Sequence, residues 1–178
     1  MEQEDLQKLG LVHVISGDGK GKTTSALGIA LRAAGHGLKS LIIQFMKKGW
    51  PYGEVEAVKL IPEIQIIQFG RPEFVDKNNP KTIDIEEAKN ALNRAYAALK
   101  EDWNILILDE INVALEWKLI SLSDVLSLIE SKPKHLELVL TGRYVHAEII
   151  ELADYYSKVE TIKHPFEKQI LGRKGIEY

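Results

Sequence analysis

The sequence predicts a doubly wound α/β fold built on a mainly parallel sheet. Three observations predict it. Short, mostly apolar runs at 12–15, 41–45, 64–69, 105–108 and 136–140 alternate with segments of helical periodicity. The first run passes through a glycine-rich turn straight into helix-forming residues, and the fourth ends in two carboxylates, Asp109 and Glu110. Apolar runs of strand length without strict alternation are buried on both faces, which is the signature of a parallel sheet covered by helices. Strands alternating with helices specify the doubly wound class. No internal repeat or low-complexity linker interrupts the 178 residues, so a single domain over 1–178 is expected.

The first junction carries the chemistry. Gly17-Asp18-Gly19-Lys20-Gly21-Lys22-Thr23-Thr24 lies between a predicted strand and a helix over 22–34. Glycines there can take positive φ and turn backbone N–H groups inward onto an anion. The helix start adds unsatisfied N–H groups and a positive dipole end. Lys22 supplies a mobile charge, and the Thr23 hydroxyl can ligate Mg²⁺. The pattern G-x-x-x-x-G-K-[ST] calls for glycine at 16, where Ser16 stands, and the glycine arrives one residue later. The loop is therefore a P-loop variant, and the sheet is expected to be of the P-loop (RecA-like) NTPase type.

Along the first helix, Ala26, Leu27, Ala30, Leu31 and Ala34 make the apolar stripe, with Gly35 as its terminator and Arg32 on its surface. The strand at 41–45 leads into a turn-rich loop, 46–53, at the sheet end where ligands bind. A short helix over 54–60 and a strand over 64–69 follow. Residues 70–80 form an aperiodic loop longer than a passive connection needs. Asp84 with Glu87 reads as a capping box opening a helix that carries Ile85, Ala88, Leu92, Ala95 and Leu99 on one face.

The strand at 105–110 delivers Asp109 and Glu110 to its tip, where P-loop NTPases hold Mg²⁺. Asn112 either bonds a polar ligand group or caps the next turn. Ser121 or Ser123 caps a helix running through Glu130, and Arg143 leaves the strand at 136–140 either toward a phosphate or into an ion pair. A helix over 145–152, a last strand over 155–161 and a basic, aromatic tail complete the chain.

Composition narrows the function. A net charge of −3 gives no general attraction to nucleic acid or anionic membrane. With no cysteine, neither a disulfide framework nor a thiolate zinc site is possible. No apolar run approaches the ~20 residues that span a bilayer, and residues 1–10 are polar and acidic, unlike a signal peptide. A cytoplasmic protein is expected. The residues alone support an Mg²⁺-nucleotide binder and leave the reaction open. Transfer of the terminal phosphoryl group of ATP, by an NTPase or a small-molecule kinase, is one alternative, and a nucleotide switch without catalysis is another.

A resemblance adds a reaction. Residues 17–24, Leu31-Arg32-Ala33-Ala34-Gly35-His36-Gly37, Gln44-Phe45-Met46-Lys47, 108–115, Leu140-Thr141-Gly142-Arg143 and Lys174-Gly175-Ile176-Glu177 together resemble the P-loop corrinoid adenosyltransferases, in order and over nearly the whole chain. These are the ATP:cob(I)alamin, or cob(I)yrinic acid a,c-diamide, adenosyltransferases of cobalamin biosynthesis. The resemblance implies that Co(I) of a corrinoid attacks the 5′ carbon of ATP and releases inorganic triphosphate, with ATP lying in the loop in reversed polarity.

It also implies roles for residues. Gly17, Asp18, Gly19, Lys20, Gly21, Lys22, Thr23 and Thr24 bind the triphosphate, Thr23 and Glu110 or Asp109 serve Mg²⁺, and Arg32 serves the nucleotide. Asn112 and Arg143 lie near the site. Phe74 falls in the loop that helps exclude the corrin's lower axial ligand. The best-known members have glycine, phenylalanine, threonine and tryptophan in series there, whereas this chain has Glu73-Phe74-Val75-Asp76, so Trp50 becomes the candidate for the missing ring. A homodimer, a flavoprotein reductase as electron donor, and cobalamin, cobinamide or cobyrinic acid diamide as substrate are the implied partners.

Overall fold

The computed structural model describes residues 9–178. Its centre is a six-stranded sheet in the order β3-β2-β4-β5-β1-β6, every neighbouring pair parallel. In chain order the elements are β1 (Val12–Ser16), α1 (Lys22–Ala34), β2 (Ser40–Gln44), α2 (Gly53–Ala57), β3 (Ile64–Gln68), α3 (Thr82–Ala98), β4 (Ile105–Asp109), α4 (Ile111–Glu116), α5 (Leu122–Ser131), β5 (Glu137–Gly142), α6 (Ala147–Leu152) and β6 (Tyr155–Lys158). A 3₁₀ turn extends α2 over Val58–Leu60, and another spans Pro165–Lys168.

The strands sort their side chains by parity. Leu106 and Leu108 of β4 join Leu41, Ile43, Leu138 and Leu140 under α3, α4 and α5. Ile105 and Ile107 join Ile42 and Val139 on the opposite face, under Ala26, Ala30 and Ala33 of α1. Both faces are therefore covered, which is why these strands read as unbroken apolar runs. Small alanines on α1 and α3 let those helices pack close to the sheet.

Several boundaries differ from expectation, each for a local reason. Leu31 is 59% exposed while Ala33 is buried, because the stripe of α1 turns with the helix past its midpoint. Gly35 stays helical, and the left-handed residue that ends the turn is Gly37 at φ 73°. Asp84 belongs to the capping box one turn earlier than expected: α3 begins at Thr82 with Lys81 as N-cap, and the Asp84 carboxylate, at N3, reaches back to accept from the Lys81 backbone N–H at 2.9 Å. Glu87 instead accepts from the Gly70 N–H at 3.1 Å. Helix α4 was not expected. It is short, almost wholly buried and without a capping side chain, so it carries no amphipathic signal. β6 stops at Lys158 rather than 161, since beyond it the chain turns to meet the glycine loop.

Three loops at the carboxyl ends of β1, β2 and β4 converge where β5 separates the glycine-loop strand from the acid-tipped strand. That is the end of an open parallel sheet where ligands bind.

Candidate active site

The glycine loop is fixed from both neighbouring strands. The Gly17 N–H donates to the Arg143 carbonyl at 3.1 Å, and the Gly19 N–H donates to the Val159 carbonyl at 2.9 Å. Gly17 has φ 109°, and a Cβ there would stand 2.2 Å from the Val159 oxygen, so only glycine fits. The Asp18 carboxylate accepts from the Thr161 N–H at 3.3 Å, which together with Arg143 and Lys158 holds its pKa below the usual value. Gly21 precedes α1 at φ 114° and offers no capping side chain, leaving the first N–H groups of α1 free for an anion. The Lys22 ammonium donates to the Gly19 carbonyl at 2.7 Å, curled against the loop it would serve. Burial pushes its pKa down, opposed by Glu110.

Asp109 is the hub behind the loop. It is fully buried, and four side chains donate to it. The Thr23 hydroxyl donates at 2.8 Å and the Thr141 hydroxyl at 2.7 Å to one oxygen. Gln44 Nε2 at 3.1 Å and Lys47 Nζ at 2.7 Å donate to the other. Lys47 also reaches the Thr23 hydroxyl at 3.2 Å. Burial disfavours the Lys47 charge, yet the field and hydrogen bond of Asp109, helped by Glu110, outweigh it and raise the pKa. The single positive charge at this spot balances the buried carboxylate.

Glu110 is arranged differently. Its backbone is left-handed at φ 65°, and its N–H donates to the Thr141 hydroxyl at 3.0 Å. Among the described residues its carboxylate has no hydrogen-bonding or ion-pair partner. Burial raises its pKa, as does the Asp109 charge, against the pull of Lys47, Lys22 and Arg143. A partly buried carboxylate lacking a partner, on the same cavity wall as Thr23, is a hard-oxygen donor set that fits Mg²⁺. Asp109, with both oxygens engaged, orients Thr23 and Lys47.

Two cavities meet here. One, of about 360 Å³, holds the loop residues 18–24 with Glu110 and Arg143 on its wall. The other, of about 430 Å³, is walled by Trp50, Phe74, Trp117 and Tyr144 and shares Glu110 and Arg143 with the first. Phe74 is 83% exposed at the tip of the 70–80 loop, and its ring centroid lies 5.1 Å from that of Trp50, tilted by 46°. The base of that loop is tied down by Arg71, whose guanidinium grips Asp84 with Nε at 2.5 Å and Nη2 at 3.3 Å. Gly70 at φ 113° lets the 70–80 and 46–53 loops touch, since a Cβ there would lie 2.7 Å from the Met46 Cα.

The structure thus brings together Gly17 to Thr24, Asp109, Glu110 and Arg143, with Phe74 across the second cavity. It does not bring Arg32 to the loop. Arg32 is exposed in the last turn of α1, about 15 Å along the axis from Lys22. Asn112 is fully buried beneath Gly142 with both side-chain polar atoms unpartnered, and it lines neither cavity. Residue-by-residue reading missed Gln44, Lys47 and Thr141 as partners of Asp109. The available signal was a polar residue, Gln44, closing an otherwise apolar strand.

The fold and loop are those of a P-loop NTPase-like protein. A family model described as ATP:corrinoid adenosyltransferase BtuR/CobO/CobP matches residues 8–178. The chain belongs to that family. It is 34% identical over 95% of its length to a corrinoid adenosyltransferase of Sinorhizobium sp, covering 80% of that protein. It is 30% identical over 97% of its length to corrinoid adenosyltransferase CobA of Salmonella typhimurium, covering 87%. To the corrinoid adenosyltransferase of Escherichia coli K12 it is 32% identical over 95% of its length, covering 86%.

Proposed function

We infer that this chain is an enzyme that transfers the 5′-deoxyadenosyl group of ATP to Co(I) of a corrinoid and releases inorganic triphosphate, in adenosylcobalamin biosynthesis or salvage. The observation that carries this is the aromatic-walled cavity meeting the phosphate loop at Glu110 and Arg143. A terminal phosphoryl transfer would need only the phosphate cavity and an acceptor. A second, flat-walled cavity joined to the first suits a large planar second substrate. Family membership favours the same reading over an NTPase or a kinase.

In this reading the Co(I) electron pair attacks the 5′ carbon, the C5′–O bond breaks, and the oxygen leaves with triphosphate. Negative charge grows on the leaving group as the bond breaks. The uncapped N–H groups at the N-terminus of α1 face that charge, and Lys22, curled on the Gly19 carbonyl, needs only to swing over to meet it. Mg²⁺, held by Thr23 and Glu110, would add Lewis-acid stabilisation of the same oxygens. Asp109 fixes Thr23 and Lys47 so that neither must reorganise during reaction. Arg143, on the wall of both cavities, sits where the nucleotide and the corrin would meet. Phe74 and Trp50 form one aromatic surface, and we assign them the exclusion of the corrin's lower axial ligand.

No helix among the described residues is long and apolar enough to cross a membrane. A cytoplasmic homodimer of single-domain subunits served by a flavoprotein reductase is the setting we propose. The test is anaerobic incubation with MgATP and chemically reduced cobalamin. A light-sensitive alkylcobalamin spectrum with triphosphate supports the assignment. ADP and phosphate beside an unchanged corrin overturn it.

A further inference from the structure

The C-terminal residues fold back onto the phosphate loop, and the reaction described above gives them no task. Residues 173–178 close on themselves. The Gly175 N–H donates to the Tyr178 carbonyl at 2.6 Å, and the Ile176 and Glu177 N–H groups donate to the Arg173 carbonyl at 3.1 and 2.9 Å. The Glu177 carboxylate accepts from the Arg173 N–H at 2.7 Å and from its guanidinium Nη2 at 3.1 Å. Among the described residues, one side chain joins this turn to the rest of the protein by hydrogen bonds. Lys20 Nζ donates to Glu177 Oε1 at 2.9 Å and to the Ile176 carbonyl at 3.2 Å. Ile176 and Glu177 line the same cavity as Lys22, Thr23 and Arg143.

We propose that residues 173–178 are a clasp whose Glu177 carboxylate competes with a triphosphate chain for Lys20, so that the clasp opens as triphosphate binds and speeds its departure as it closes. The inference rests on the reading that the glycine loop holds a triphosphate.

The electrostatics support it. Hydrogen bonds from Arg173 and Lys20 bring the Glu177 carboxyl down to a pKa of about 2, so it carries a full charge at any working pH. A full negative charge on the wall of a phosphate site opposes the ligand unless its partner is shared or surrendered. Lys20 is half exposed, and ion pairs of that kind are weak enough to exchange. A polyphosphate held by Lys22 and several N–H groups at once outcompetes a single carboxylate. Gly175, at φ 78°, gives the turn a residue that can absorb the opening. A triphosphate product gripped by a P-loop would otherwise leave slowly, and a tethered carboxylate returning to Lys20 shortens its stay.

The test measures binding of inorganic triphosphate with Mg²⁺ to the wild type and to Glu177→Gln by titration calorimetry, with trypsin cleavage after Arg173 and Lys174 as a second readout. The proposal expects Glu177→Gln to bind triphosphate severalfold tighter and to release it more slowly. It also expects triphosphate to speed trypsin cleavage of the wild-type tail. Equal or weaker binding by the variant overturns it, as does a wild-type tail that triphosphate protects. A wild type that binds no triphosphate overturns the functional reading as well. Binding by the wild type that the substitution leaves unchanged overturns the clasp alone.

Discussion

Glu110 is stored in the metal-free protein at a cost, and replacing it should make the protein more stable and less active at once. The carboxylate is partly buried without a partner among the described residues, and its pKa is raised by burial and by Asp109. Because the folded value lies above the ordinary 4.5, the protonated group's contribution to stability is fully present below that pH. It is lost as pH rises through the raised value. Glu110→Gln keeps the shape and removes the charge. Glu110 is part-exposed to both cavities, so its charge costs less than the about 1–3 kcal/mol of a fully buried unpaired group, and the fields of Lys47, Lys22 and Arg143 offset part of it. For a domain of this size 1 kcal/mol moves Tm by about 2–4 °C. In EDTA, without nucleotide, Glu110→Gln should therefore melt about 1–4 °C above the wild type at pH 8, for a gain of about 0.5–1 kcal/mol. The gap should shrink toward zero as pH falls to 4.5. Added Mg²⁺ and ATP should reverse the order, and the variant should turn over poorly. Calorimetric melts at several pH values decide it. A variant less stable than wild type at pH 8, or a gap independent of pH, would refute the reasoning.

Three further outcomes follow from the same geometry. Gly17→Ala meets both a positive φ and the Val159 carbonyl, whereas Gly21→Ala has the positive φ but nothing within 4 Å. The first should therefore lose clearly more stability than the about 1–2 kcal/mol conformational cost expected of the second, and equal losses in denaturant unfolding would contradict this. Lys47→Met leaves the buried Asp109 charge uncompensated, so urea midpoints at neutral pH should report a loss of about 3–5 kcal/mol; a change below 1 kcal/mol would remove Lys47 from that role. Phe74→Ala alters an exposed ring and should leave stability within about 0.5 kcal/mol. It should impair adenosylation started from Co(II) much more than from chemically made Co(I). Trp50→Ala should act in the same direction, and equal loss in both assays would take either ring out of ligand exclusion.

The parts legible in the sequence are those written locally. The turn from β1 through Gly17 and Gly21 into α1 depends on neighbouring residues, and the acid tip of β4 is one apolar run with its ending. Side-chain partnerships across the sheet were not legible. Lys47 meets Asp109 across 62 positions, and Lys20 meets Glu177 across 157. No periodicity encodes such a pairing; strand order does, by setting β2 beside β4 and laying the tail over the loop. Helix α4 escaped for the opposite reason. It is buried on nearly all sides, so the polar face that marks a helix is missing. Arg32 stands exposed in the last turn of α1, away from the glycine loop, so its position follows from helix length and not from the motif that named it.

The central claim is that the loop holds triphosphate as a leaving group rather than as a phosphoryl donor. The most direct measurement uses ATP labelled with ¹⁸O at the oxygen that joins C5′ to the α-phosphorus. Turnover with Co(I) corrinoid should place all of the label in inorganic triphosphate and leave a cobalt–carbon bond on unlabelled adenosyl product. Label retained in ADP, with phosphate as the other product, would contradict the account.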